Sequence, residues 1–118
     1  MPDLSRRSGR AELQLPVELR SSDGAFAGVT QNVGVGGMFV ATEQPRRVGE
    51  RLALTFTLPG EANPISVQSE VRWIRDNASP ESPKRVAGMG LRFVGLPILA
   101  TVWIEEVVRR HEQALRER

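Results

Sequence analysis

Apolar residues return at every second position through most of this chain, in short runs broken by glycine and proline. Leu13, Leu15, Val17 and Leu19 alternate with mostly polar neighbours, as do Leu52, Leu54, Phe56 and Leu58. Ile65, Val67, Val71 and Trp73 mark a longer run, and Met89, Leu91 and Phe93 the last. A period of two puts alternate side chains on one face of an extended strand, so each run reads as a strand with one buried face. Further strands are expected from about Phe26 to Asn32 and from Met38 to Ala41. Turn-forming stretches separate them: Ser21-Ser22-Asp23-Gly24, Gly34-Val35-Gly36-Gly37, Pro45 to Gly49 and Pro59-Gly60. Six or so short strands with turns between them point to a mainly β fold, a small antiparallel barrel that is closed or nearly so.

The period changes near the C-terminal end. Pro97 suits the first turn of a helix, where its missing N–H costs nothing. Leu99, Trp103 and Val107 recur at four-residue spacing with Val102 beside them. Glu105 and Arg109, Glu106 and Arg110, and Glu112 and Arg116 form Glu-to-Arg pairs of the favourable order. A helix is expected over about 97–115, its stripe of Leu99, Val102, Trp103 and Val107 laid on the barrel. Ile104 and Val108 would lie to one side as an exposed contact face. The expected organisation is one domain over residues 1–118: a flexible arm (1–10), a barrel (11–94) with a solvated loop at 76–85, and the helix.

Composition narrows the chemistry. Among 118 residues there is one histidine, His111, with no cysteine and no tyrosine. A nucleophile–base pair is hard to assemble from that set, and no cluster has metal-ligand spacing, so the sequence reads as a non-enzyme without a metal or cofactor. No apolar run is long enough to span a bilayer, and the absence of cysteine fits a reducing compartment, so a cytoplasmic protein without membrane insertion is expected. The net charge of +2 is too small for a general polyanion binder. Aromatics make up only 5 %, which leaves few platforms for base stacking, so nucleic acid is an improbable partner. The positive charge is local, at Arg6, Arg7 and Arg10 in the arm and at Arg46, Arg47 and Arg51.

The arm and the glycine corner are the two segments with ligand-binding chemistry. Guanidinium offers planar paired donors to phosphate and stacks on flat rings. The corner Gly34-Val35-Gly36-Gly37 lacks the GxGxxG spacing of a dinucleotide loop, and no Lys-Ser/Thr follows it. Taken by itself it is a tight turn that needs positive φ; taken with the arm it suits a compact anionic ligand.

These residues carry a resemblance that covers nearly the whole chain. Arg6-Arg7-Ser8-Gly9-Arg10 matches an RxxxR motif, and Asn32 and Gly37 match the first and last positions of [D/N]xSxxG. The likeness continues through Gly37 to Thr42, Val48-Gly49, Leu52 to Gly60, Val71 to Arg75 and Gly88 to Phe93. The sequence resembles PilZ domains, the bacterial receptor modules for cyclic di-GMP, and its wording is nearest to single-domain members of the myxobacterial type. The resemblance implies a six-stranded antiparallel β-barrel with a C-terminal α-helix and a flexible N-terminal arm. It implies cyclic di-GMP as ligand, held by Arg6, Arg7 and Arg10 from the arm and by Asn32, Gly34 and Gly37 from the corner. It also implies a protein partner, in motility, exopolysaccharide or developmental control, that reads the arm folding over the ligand.

The sequence departs from the pattern at Gly34, where the family has serine. A neutral hydrogen bond contributes about 0.5–1.5 kcal/mol, so the missing hydroxyl predicts about two- to tenfold weaker binding. An arginine bond to phosphate contributes about 1.5–3 kcal/mol, so the retained arginines outweigh the loss. The departure leaves a second reading beside the first: a degenerate PilZ domain that binds no nucleotide and serves as a protein–protein adaptor.

Overall fold

A computed structural model describes residues 9–76 and 86–117. Among the described residues seven strands precede one helix: β1 (Arg10–Ala11), β2 (Leu15–Ser21), β3 (Gly24–Gly34), β4 (Gly37–Ala41), β5 (Arg51–Phe56), β6 (Ile65–Arg75), β7 (Gly88–Val94) and α1 (Ile98–Arg116). All pairings are antiparallel, in the order β1-β3-β2-β5-β6-β7-β4. β4 also pairs with β3. Six strands, β2 to β7, therefore close on themselves as a barrel, with the two-residue β1 added outside the ring on β3. Closure leaves those six strands no free edge, which an open sheet would have to protect.

The period-two pattern does what it predicted over most of the ring. Val17, Leu19, Leu52, Leu54, Phe56, Ile65, Val67, Val71, Met89, Leu91 and Phe93 are all buried in one core. Leu13 and Leu15 lie partly buried against it. Among the described residues two polar side chains are fully buried, Thr30 and Ser69, and both are satisfied. Ser69 Oγ donates to the Leu52 carbonyl at 2.8 Å. The β2–β3 hairpin turns through Ser22 and Asp23, with Gly24 at φ 137°, a conformation that favours glycine.

Three expectations are corrected. Arg10, expected in a flexible arm, is the first residue of β1, paired opposite Gly34. Pro97 is the cap preceding α1 rather than part of its first turn, and its carbonyl accepts from the Thr101 N–H at 2.9 Å. The helix is also rotated from the expected stripe. Ala100, Ile104 and Val108 are its buried residues, whereas Leu99 is 66 % and Val102 51 % exposed. Trp103 and Val107 sit partly buried at the margin. α1 packs on β1 and β3, and that groove is met by the small residue Ala100 followed by Ile104 and Val108 at four-residue spacing. Of the expected ion pairs, Glu106–Arg110 forms at 3.1 Å, but Arg109 also reaches Glu106 instead of Glu105. Glu112, expected to pair with Arg116, instead has its Oε2 buried without a hydrogen-bond partner.

Candidate functional site

Two bulges in the barrel wall build the site. In β3, Thr30 lies opposite Val40 and Asn32 opposite Phe39, so Gln31 is an extra residue. Strict alternation from the buried Thr30 would bury Asn32. The extra residue sends Val33 into the core instead and turns Asn32 outward. The Thr30 hydroxyl lies 2.9 Å from the carbonyls of both Asn32 and Phe39 and staples the bulge. In β6, Val71 lies opposite Leu91 and Trp73 opposite Gly90, so Arg72 is extra. Trp73, read from the sequence as inward-facing, is turned out and is 45 % exposed.

The outer face of β7 explains where Trp73 goes. Gly88 and Gly90 alternate with the buried Met89 and Leu91. A Cβ on Gly88 would collide with the Phe39 ring, and one on Gly90 with the Trp73 indole. The two bare positions thus form the floor under two aromatics. Phe39 and Trp73 stack with centroids 5.3 Å apart and planes 20° from parallel. The Arg75 guanidinium lies 4.6 Å from the Phe39 centroid and 5.6 Å from that of Trp73, a cation–π arrangement. Arg75 Nε is buried without a hydrogen-bond partner.

The other half of the site is Arg10. Its Nε donates to Asn32 Oδ1 at 2.6 Å and its Nη2 to the Gly37 carbonyl at 3.2 Å. Burial removes water from the charged guanidinium and lowers its pKa from the ordinary arginine value. A cleft of about 340 Å³ is lined by Arg10, Asn32, Gly37, Trp73, Arg75 and the flanking Arg72 and Arg92, among others. Glu70 answers part of this charge: Arg92 Nη2 donates to its Oε1 at 3.0 Å and Arg72 Nη1 to the same oxygen at 3.3 Å. Those bonds, Arg92 first, hold the Glu70 carboxyl below the usual carboxylate range. A concave surface with four guanidiniums and a half-open indole can hold phosphate and a flat base together.

Of the residues expected at a site, Arg10, Asn32 and Gly37 converge here, while Arg6 and Arg7 lie outside the described residues. Gly34 sits beside Arg10, directly under its side chain. The expected positive φ at the corner is not observed: Gly24, Gly49, Gly60 and Gly95 have it, and Gly34, Gly36 and Gly37 do not. Gly37 is required for a different reason. A Cβ there would overlap the Leu91 carbonyl across the β4–β7 pairing. The layer of Phe39, Trp73, Arg75 and Arg92 was missed from the sequence, because periodicity carries no mark of a bulge. Its one legible signal was Gly88-Met89-Gly90, bare on two successive outward positions of a strand.

The sequence matches the PilZ domain family over residues 4–111. The chain belongs to the PilZ domain family. No curated protein matches it in sequence. Among solved structures, Bacillus subtilis inhibitor of motility (MotI/DgrA) superposes with a TM-score of 0.75 at 21 % identity, covering 92 % of this chain and 51 % of that one. The PilZ domain of YcgR from Escherichia coli, solved with c-di-GMP, gives 0.67 at 14 % identity and 92 % coverage of both chains. K. pneumonia MrkH in its apo state gives 0.73 at 17 % identity, over 92 % of this chain and 51 % of that one. This PilZ chain therefore spans about half the length of MotI and MrkH and nearly all of the YcgR domain. At such identities the likeness is one of fold. No group of three or more His, Cys, Asp or Glu side chains placed to hold a metal occurs among the described residues. No described helix is long and apolar enough to cross a membrane.

Proposed function

We propose that this domain is a non-enzymatic cyclic di-GMP receptor of the cytoplasm that switches a protein partner. The observation that carries the reading is Arg10 bonded to both Asn32 and Gly37 in a cleft that Trp73 and Arg75 also line. Residues from both family motifs, far apart in sequence, thus share one site. Phosphate would meet the Arg10 guanidinium, whose Nη1 is free of the two bonds above, and a guanine edge would meet Asn32. A second guanine face has the Trp73 indole, already backed by Phe39, on which to lie. Arg6 and Arg7 would close over the ligand from the arm. Stronger binding to the closed arrangement than to the open one is what makes such a ligand a switch. The YcgR domain solved with c-di-GMP supports the ligand, and the name of MotI, an inhibitor of motility, supports a motility partner.

Isothermal titration of the purified chain with cyclic di-GMP tests the reading. Saturable heat at micromolar or tighter affinity is expected. A folded sample giving neither heat nor thermal shift would overturn it in favour of the nucleotide-independent adaptor.

Two predictions arise from the cleft. Trp73 and Trp103 are the only tryptophans, and Trp73 alone lines the cleft. Nucleotide is expected to quench the fluorescence of wild type and of Trp103→Phe, but not of Trp73→Phe. Equal quenching in all three would remove Trp73 from the site. Glu70→Gln removes a negative charge beside Arg72 and Arg92. Its affinity is expected to rise about two- to fivefold at low salt, with the gain shrinking at high salt as screening grows. Titrations at two salt concentrations check this; a salt-independent loss would mean that Glu70 serves by fixing the two arginines in place.

A further inference from the structure

Gly34 is the place where this chain departs from its family, and its surroundings give the position a task. β1 runs antiparallel to β3, with Arg10 opposite Gly34 and Ala11 opposite Val33. A Cβ on Gly34 would lie 2.6 Å from the Gly9 carbonyl oxygen, 3.3 Å from Arg10 Cγ and 3.5 Å from Arg10 Nη1. The first of these is a backbone atom at a separation that real Cβ atoms do not adopt, so one strand would have to move. Arg10 thus crosses the bare backbone of Gly34 on its way to Asn32 Oδ1 and the Gly37 carbonyl. Left-handed backbone geometry does not account for the glycine, since its φ is not positive. Nor does crowding apply throughout the turn: a Cβ on Gly36 would meet nothing within 4 Å.

We propose that Gly34 is a positioning residue, whose missing side chain seats β1 on β3 and lays the Arg10 guanidinium against Asn32. The proposal rests on the reading of the cleft as the cyclic di-GMP site, although its first test needs no nucleotide. It reverses the expectation drawn from the family motif. If the hydroxyl were all that mattered, Gly34→Ser would restore a ligand contact and tighten binding about two- to tenfold. In this chain the serine occupies the track of Arg10, and Gly34→Ser lifts the arginine from its partners.

The test is the Arg10 Nε–H signal in nitrogen-15 NMR of the full chain, identified by its loss in Arg10→Lys. Wild type is expected to show this proton protected from solvent exchange, and so is Gly36→Ala. Gly34→Ser and Gly34→Ala are expected to lose the protection while the amides of β5 and β6 keep theirs. Titration of Gly34→Ser with cyclic di-GMP is then expected to give affinity about tenfold weaker than wild type, the scale of one charge-assisted bond. Protection persisting in Gly34→Ser, or affinity equal to or tighter than wild type, overturns the proposal. If Gly34→Ser fails to fold, Gly34→Ala carries the same test with one added carbon. Rapid exchange of the wild-type Arg10 Nε–H overturns it without any variant. A wild-type chain that binds no nucleotide defeats the receptor reading, whereas the exchange data still decide the role of Gly34.

Discussion

Arg10→Ala is expected to weaken cyclic di-GMP binding by about ten- to hundredfold, the cost of one lost charge-assisted contact. The substitution removes more than a charge. Arg10 Nε holds Asn32 Oδ1 and its Nη2 holds the Gly37 carbonyl, so both corner residues lose their fixed partner in the same change. Arg10→Lys separates the two contributions, because lysine keeps the charge but has no planar fork to bond Asn32 and a phosphate together. Lysine is therefore expected to fall between wild type and alanine. Asn32→Ala combined with Arg10→Ala should cost less than the two single losses added, since each single change already breaks the shared bond. Titration calorimetry gives the affinities, and thermal unfolding of each variant establishes that the barrel remains. Unchanged affinity in a folded Arg10→Ala protein would take the arginine out of the ligand site.

The barrel could be read from the sequence because its core positions obey one rule. Leu52, Leu54 and Phe56, or Met89, Leu91 and Phe93, alternate without interruption, and a period of two has only one structural meaning over such runs. The site resisted the same reading because it lies where the rule breaks. Gln31 and Arg72 each add one residue to a strand, and the next residue that alternation would bury, Asn32 or Trp73, turns outward. Asn32 was marked by a motif, independently of any face. Trp73 had no motif to mark it, and alternation sent it into the core. β1 escaped for another reason: two residues, Arg10 and Ala11, are too few to show a period at all. What reveals that strand is the absence of a side chain on its partner Gly34, which is visible only once both backbones are in place. The glycines of the corner were legible as a constraint, but the constraint is close approach and not backbone handedness.

Ile104→Ala is expected to destabilise the domain by about 2–5 kcal/mol, and Leu99→Ala by no more than about 0.5 kcal/mol. The two residues are both aliphatic and five positions apart on one helix, yet Ile104 is fully buried and Leu99 is 66 % exposed. Truncating Ile104 removes buried apolar surface and leaves a cavity that close-packed neighbours fill only in part; truncating Leu99 removes carbon already facing water. The sequence stripe of Leu99, Val102, Trp103 and Val107 demands the reverse ranking, so the pair of variants decides the rotation of α1. Thermal unfolding separates them readily, because each kcal/mol shifts the midpoint by several degrees in a domain near this size. The consequence reaches the cleft. α1 packs on β1 and β3, and Ala11 shares the core with Ala100, Ile104 and Val108. The residue beside Arg10 is therefore buried in the same cluster as the inner face of the helix. A cavity at Ile104 loosens the support under Ala11, so Ile104→Ala is expected also to weaken nucleotide binding at temperatures where it remains folded, while Leu99→Ala binds as wild type. A folded Ile104→Ala protein with wild-type affinity would show that β1 keeps its place through β3 alone.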